Sequence, residues 1–390
     1  MSVRRRSWKT KEGETKDAWI VDYVDQQGDR HIRTFARKKD ADGFHASVHV
    51  DVQRGVHTPI NKSITVAGAA DLWLQACIHA GLERTTLDTY RQHIDLHILP
   101  LLGTVNLAQF TVPAVREFSD RLRRDGRSQA MVAKVMVRLG SILADAQERG
   151  LVAQNVVRSL RRQRRHRGLK ATERARGKLK VGIDIPTPDE IRTIVGTLQG
   201  RWRPLLLTAI FTGLRASELR ALRWDDVDLK KSELSVRQRA DRYNAIGGPK
   251  SAAGERTIPV PPFLLNTLKE HRLASKHELV FANGRGNVEN YANIIHRGFL
   301  PVQIAAGITK GGKAKYTGLH SLRHFYASWC INRRADGGLE LPLKVVQSRL
   351  GHATVAMTAD TYGHLFPRRD DGAELAEAER LLVVRDTNAT

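Results

Sequence analysis

Thr212-Gly-Leu-Arg215-Ala-Ser-Glu218-Leu-Arg-Ala-Leu222 is the stretch on which the reading of this chain turns. An apolar run from Pro204 to Leu214 breaks at a glycine turn, and an arginine follows at the start of a new helix. Glu218 stands three residues later, one turn on and on the same face. It is either a solvated helix charge or a support that orients Arg215. Working outward, Thr187-Pro-Asp-Glu190 has the capping-box pattern of a helix start, so a unit of the fold begins there. Downstream, Leu234–Arg239 and Glu255–Val260 read as a strand pair, with Gly248-Pro-Lys250-Ser between them. His320-Ser-Leu-Arg323-His324 places a histidine and an arginine three apart on one helix face. Leu350-Gly351-His352 closes another helix, and Tyr362 arrives ten residues later in Thr358-Ala-Asp-Thr-Tyr-Gly-His364.

Upstream, the organisation changes twice. Residues 1–60 read as a small ββα unit: strands at Trp19–Asp25 and Arg30–Ala36, a turn at Gln26–Asp29, and a helix from Lys39 to Gln53. So small a unit buries little core, which makes its exposed face a contact surface. Residues 63–160 read as all helix, with apolar residues at helical spacing (Ala70, Leu72, Trp73, Ala76; Val132, Val135, Met136, Leu139, Ile142). Pro100 with Gly103, and then Gly126, are expected to break it into four or five short helices. Residues 161–184 are a basic interdomain linker. Ten of the twenty residues from Arg161 to Lys180 are Lys or Arg, against the single acid Glu173. Such a run self-repels and is either a solvated hinge or a segment lying along a phosphate backbone. Residues 185–390 form a mixed, mainly helical unit. It ends in a short amphipathic helix after Gly372, with Leu375, Ala378, Leu381 and Leu382 as its stripe.

Composition bounds the function. A chain of 390 residues predicts two to four domains. The 64 Lys+Arg against 41 Asp+Glu leave a net charge of +23, which points to a polyanion, nucleic acid first. Two cysteines, Cys77 and Cys330, without a CxxC pair, speak against a disulfide framework or a cysteine-built zinc site, and fit a reducing compartment. The N-terminus lacks the apolar stretch of a secretory signal, and Pro204–Leu214 is too short to span a bilayer. A cytoplasmic protein is expected.

Two motifs are near-misses. Gly307-Ile-Thr-Lys-Gly-Gly312-Lys313 matches a phosphate loop but has Ala314 where a Mg²⁺-binding hydroxyl is needed, and no apolar strand precedes it. His93 and His97 stand four apart but lack a third ligand and an HExxH glutamate. They read better as basic residues on a nucleic-acid face. Neither a metal nor a cofactor is expected.

In their order, Arg215, Lys250, His320, Arg323, His352 and Tyr362 resemble the six catalytic positions of the tyrosine recombinases, the integrases of phages and mobile elements. The stretch Gly248-Pro-Lys250-Ser-Ala-Ala-Gly-Glu-Arg-Thr-Ile-Pro-Val260 resembles the family's lysine hairpin. The likeness covers residues 63–385, and residues 1–60 resemble, less sharply, the arm-type DNA-binding domain of many phage integrases. Val156 stands where the family often has a proline after Asn155.

The resemblance implies a multidomain fold: a small α+β arm-type domain, an all-α core-binding domain, and a mixed, mainly-α catalytic domain. It implies cleavage and rejoining of DNA through a 3′-phosphotyrosine, without metal or ATP, to integrate and excise an element such as a prophage. In those terms Arg215, Arg323 and His352 hold the phosphate and Lys250 protonates the leaving 5′ oxygen. His320 helps manage the proton of the nucleophile Tyr362, with Glu218 in support. The DNA-facing candidates are Arg84, Tyr90, Arg91, Lys134 and Arg138, with Arg161, Arg162, Arg164 and Arg165 in the linker. The implied partners are double-stranded DNA at core and arm attachment sites and three further copies in a tetramer. A host DNA-bending protein and an excisionase are implied as accessory factors, in the nucleoid of a bacterial host. The competing readings are a chromosome-dimer resolvase, a type IB topoisomerase and an idle DNA-binding regulator.

Overall fold

In the computed structural model the described residues are 2–9, 15–25, 28–53, 63–158, 178–366 and 371–383. They belong to two units, residues 1–169 and 170–390.

The first unit holds two hydrophobic cores. Strands β1 (Ser2–Lys9), β2 (Thr15–Val24) and β3 (Arg30–Phe35) form an antiparallel meander, and helix α1 (Lys38–Gln53) packs on it. Val21, Tyr23, Ala41 and Val48 make its small core. The expected ββα unit therefore has an additional first strand. Ser2–Lys9 is an arginine-rich edge strand, exposed almost throughout, so it carries no apolar alternation to find. The Gln26–Asp29 turn is described only in part.

The second core, from Val66 to Val157, is built by helices α2 (Val66–His79), α3 (Arg84–His93), α4 (Leu99–Leu102), α5 (Val112–Arg124) and α6 (Gln129–Glu148). Ser128, Thr111 and Thr65 cap three of them with their hydroxyls. Gly103 ends α4 as expected, but Pro100, inside α4, breaks no helix. A π-helical turn, Ile94–Ile98, joins α3 to α4, and the Leu99 amide reaches back five residues to the Ile94 carbonyl. The widened turn directly before the proline accommodates its ring and its missing N–H. The same device recurs before Pro301, where the Leu300 amide bonds the Ile295 carbonyl. Gly126 does end α5, at φ +75°.

The second unit begins with α7 (Pro188–Thr197), whose capping box is formed as the Thr187–Glu190 pattern predicts. Helices α8 (Arg203–Thr212) and α9 (Ala216–Ala221) follow. Helix α8 is buried nearly all round, which is why its sequence shows a continuous apolar run. The expected strand pair is β5 (Glu233–Val236) against β8 (Arg256–Pro259), extended by β4 (Val227–Asp228) into one antiparallel sheet. A second hairpin, β6 (Arg239–Ala240) and β7 (Ile246–Gly247), stands between β5 and β8 in the chain. After α10 (Pro262–Ala274), α11 (Tyr291–Asn293) and α12 (Leu300–Ala305), the near-miss phosphate loop is a β-hairpin, β9 (Thr309–Lys310) with β10 (Lys313–Ala314). Gly311 and Gly312, both at positive φ, make its two-residue turn. Three helices complete the site: α13 (His320–Ile331), α14 (Leu343–Leu350) and α15 (Val355–Tyr362). Helix α16 (Asp371–Val383) is the last described element, with Leu375 and Leu382 exposed. No described helix is long and apolar enough to cross a membrane.

Candidate active site

The site is assembled at the C-terminal end of α14. A helix end leaves its last carbonyls without intrahelical partners, and the dipole makes that end attractive to cations. Here three successive carbonyls each hold a different arginine. Arg349 O accepts from Arg256 Nε at 2.8 Å, Leu350 O accepts from Arg323 Nη2, and Gly351 O accepts from Arg215 Nη2 at 3.1 Å. Arg323 comes from α13, Arg215 from the N-cap position of α9 and Arg256 from β8, so one helix end fixes the guanidinium groups of three distant segments.

Glu218 is the counter-charge. It is buried, accepts the Arg215 amide at 2.9 Å and Arg215 Nη1 at 2.8 Å, and takes both Arg256 Nη groups at 3.2 and 2.9 Å. Burial raises its carboxyl pKa, but the bonds and charges of Arg256 and then of Arg215 outweigh this and leave it below the ordinary value. Glu218 is thus the support that the spacing suggested. Arg256 was not singled out from the sequence. The only signal for it is its place in Glu255-Arg-Thr-Ile-Pro-Val260, on the strand after the lysine hairpin.

Two glycines make the arrangement possible. Gly213 ends α8 and Gly351 ends α14, both at φ +61°, where an L side chain is strained. A Cβ on Gly213 would stand 2.4 Å from the Tyr326 ring, and one on Gly351 would stand 2.8 Å from Arg256 Nη1. The freed Gly213 carbonyl accepts from Arg323 Nη1 at 2.7 Å. Arg323 is 2% exposed, and burial followed by the charge of Arg215 brings its pKa down to about 10.

Tyr362, the last residue of α15, lies beside this group. Its ring is buried among Tyr326, Ala327, Cys330, Ile331, Val346 and Leu350. Its hydroxyl is 2.8 Å from His324 Nδ1. Burial pushes the phenol up to about 12, while the charges of Arg323 and Arg215 pull it down. The His352 ring stacks parallel to the Tyr362 ring at 6.2 Å, and its Nδ1 is fixed by Thr358 Oγ1 at 2.9 Å. Burial and then the surrounding arginines hold His352 at about 4. It is therefore a neutral hydrogen-bonding group near pH 7. His320 is exposed, with its ring 4.5 Å from that of His324.

Five of the six catalytic candidates, Arg215, His320, Arg323, His352 and Tyr362, are thus brought together. Lys250 is not. It lies on an exposed loop between β7 and β8 with no hydrogen bond or ion pair to a described residue. Arg256, six residues on, anchors that loop to Glu218.

The DNA-facing candidates of the first unit lie on two neighbouring helices. Arg84, Tyr90 and Arg91 are on α3, and Lys134 and Arg138 on α6. Arg84, Arg91 and Lys134 are exposed, and Arg91 pairs with Asp88 at 3.6 Å. Arg138 is half-buried with its guanidinium 3.4 Å above the Tyr90 ring centroid. His93 and His97 are not the exposed basic residues expected. Both are buried in the helical core, and burial lowers their pKa values. Arg161, Arg162, Arg164 and Arg165, with most of the linker, lie outside the described residues.

Residues 186–369 match the phage integrase family, and residues 65–123 match its N-terminal SAM-like domain. The chain belongs to the phage integrase family of tyrosine recombinases. Among its curated relatives is a tyrosine recombinase XerC-like protein of Caldanaerobacter subterraneus subsp. tengcongensis. It is 24% identical over 366 residues, covering 86% of this chain and 88% of the relative. A putative prophage phiRv2 integrase of Mycobacterium tuberculosis is 27% identical over 369 residues, covering 90% of each. The fold resembles that of a lambda integrase tetramer bound to a Holliday junction, with a TM-score of 0.55 at 17% identity. That match covers 89% of this chain and 95% of the other.

Proposed function

We propose that this integrase-family protein is a site-specific recombinase that integrates and excises a mobile element such as a prophage. It would cut and rejoin DNA through a 3′-phosphotyrosine. The observation that carries the reading is the convergence of Arg215, Arg323, His352 and the Tyr362 hydroxyl at one helix end. A tyrosine nucleophile stays attached to the strand it cuts, which conserves the bond energy and removes the need for ATP. Guanidinium forks match the non-bridging oxygens of a phosphate and stabilise the charge of its pentavalent transition state. Neutral His352, held by Thr358 at Nδ1, has Nε2 left to donate to the same phosphate. Lys250, on its exposed loop, would protonate the departing 5′ oxygen once DNA orders it there.

In this reading residues 1–60 bind arm sites and residues 63–160 bind the core site. Residues 161–184 link them to the catalytic domain, 185–390. Arg84, Arg91, Lys134 and the stacked Arg138–Tyr90 pair would lie along the core-site backbone, joined by Arg161, Arg162, Arg164 and Arg165. The protein would act as a homotetramer on DNA, with the exposed Leu375 and Leu382 of α16 buried against a neighbouring copy. An excisionase and a host bending protein would set direction. The prophage integrase relative, aligned over nine-tenths of both chains, supports this reading.

The test is strand exchange between two labelled duplexes carrying the flanking attachment sequences. Recombinant joints are expected. Relaxation of supercoils without exchange would indicate a topoisomerase, and binding alone a regulator.

A further inference from the structure

His324 has no role in the six-residue set, yet it is the residue that touches the Tyr362 hydroxyl. Among the described residues it is that phenol's one hydrogen-bond partner, at 2.8 Å through Nδ1. His320, on the same helix, makes no such bond. Its ring lies edge-on against His324, at 4.5 Å and 84°, so His324 stands between His320 and the tyrosine.

We propose that His324 is a positioning residue for strand cleavage, accepting the Tyr362 hydrogen at Nδ1 and thereby aiming the phenol oxygen. The proposal rests on the reading of Tyr362 as the nucleophile. Its logic is geometric. Tyr362 ends its helix, and its ring is gripped on the faces by apolar neighbours and His352, which fixes the ring plane and leaves the O–H rotor free. In-line attack needs an oxygen lone pair directed at phosphorus, and a hydrogen bond that pins the proton to one side leaves the lone pairs on the other. Only a neutral imidazole has an acceptor nitrogen. Burial first, then the His320 and Arg323 charges on its own helix, hold His324 at about 4, opposed weakly by Asp184. It is therefore neutral near pH 7. Tyr362, on α15, faces it as a donor.

The experiment is single-turnover formation of the covalent adduct on a nicked core site, with DNA affinity and unfolding temperature measured on the same proteins. His324→Leu and His324→Phe remove the acceptor and keep apolar bulk; whichever retains the wild-type unfolding temperature is read. Its adduct formation should slow by roughly 10–100-fold with DNA affinity unchanged, since misaiming a reacting group costs on that order. His324→Asn puts an amide oxygen where Nδ1 stood and should restore most of the rate. An apolar variant as fast as wild type, or an asparagine variant as slow as the apolar one, overturns the proposal. Tyr362→Phe separates the two levels. If it still forms adduct, the nucleophile assignment fails. If it forms none while the apolar His324 variant runs at full rate, only the role of His324 fails.

Discussion

The end of α14 and the Lys250 loop make opposite use of positive charge. At the helix end, three guanidinium groups are gathered within reach of successive carbonyls and one buried carboxylate, Glu218, and are fixed before any DNA arrives. On the loop, one exposed ammonium has no hydrogen-bond or ion-pair partner among the described residues. The first arrangement suits a group that must present fixed donors to a phosphate, because its reorganisation is already done. The second suits a proton donor that acts once, on a leaving group, and needs DNA to place it. In the proposed reaction, the groups that would hold the phosphate are already fixed by the fold, whereas the group that would protonate the leaving oxygen is not.

Removing Glu218 should break the first arrangement and have the largest effect. Arg256 and Glu218 are each 4% exposed at the side chain, so Glu218→Ala leaves a buried guanidinium without its counter-charge. A loss of about 3–5 kcal/mol is expected by chemical denaturation. The pH dependence has a definite sign. Because the folded-state pKa of Glu218 lies below its unfolded value, its stabilisation is present above the ordinary glutamate pKa. It is lost as pH falls through the lower, folded one. Glu218→Gln should remove that part of the acid sensitivity.

A smaller loss is expected from Gly213→Ala, about 1–3 kcal/mol, from a methyl group at positive φ with Tyr326 in its way. It should also move the Gly213 carbonyl off Arg323 and slow cleavage. Wild-type stability and rate in this variant would mean that the helix ends do not set the arginines.

Lys250→Ala should barely change stability, within about 0.5 kcal/mol, since the side chain is exposed and makes no hydrogen bond or ion pair to a described residue. Cleavage should slow with a normal 5′ oxygen and recover with a 5′-thiolate, which needs little protonation to leave. Equal slowing on both substrates would remove Lys250 from that role and blur the contrast between the regions.

How far the sequence reached follows from the kind of contact involved. The Thr187 cap, the β5–β8 pair and the residues Arg215, His320, Arg323, His352 and Tyr362 were legible because local pattern and motif order carry them. The clamp was not. Its acceptors are backbone carbonyls, which have no residue identity, and the Arg215–Gly351 contact joins positions 136 apart. Arg256 and His324 sit inside recognisable motifs, but nothing in their spacing distinguishes them from ordinary strand and helix residues. The first strand and the unbroken run from α3 to α4 were missed for different reasons. One is a charged edge strand, and the other contains a proline that only a widened turn accommodates.

The most direct test of the account is the covalent bond itself. Wild-type protein incubated with a nicked core site and run on a denaturing gel should give a protein–DNA adduct whose peptide contains Tyr362. Tyr362→Phe should bind the same DNA with unchanged affinity and give none. An adduct that survives in Tyr362→Phe, or one mapped to another of the seven tyrosines, would contradict the account.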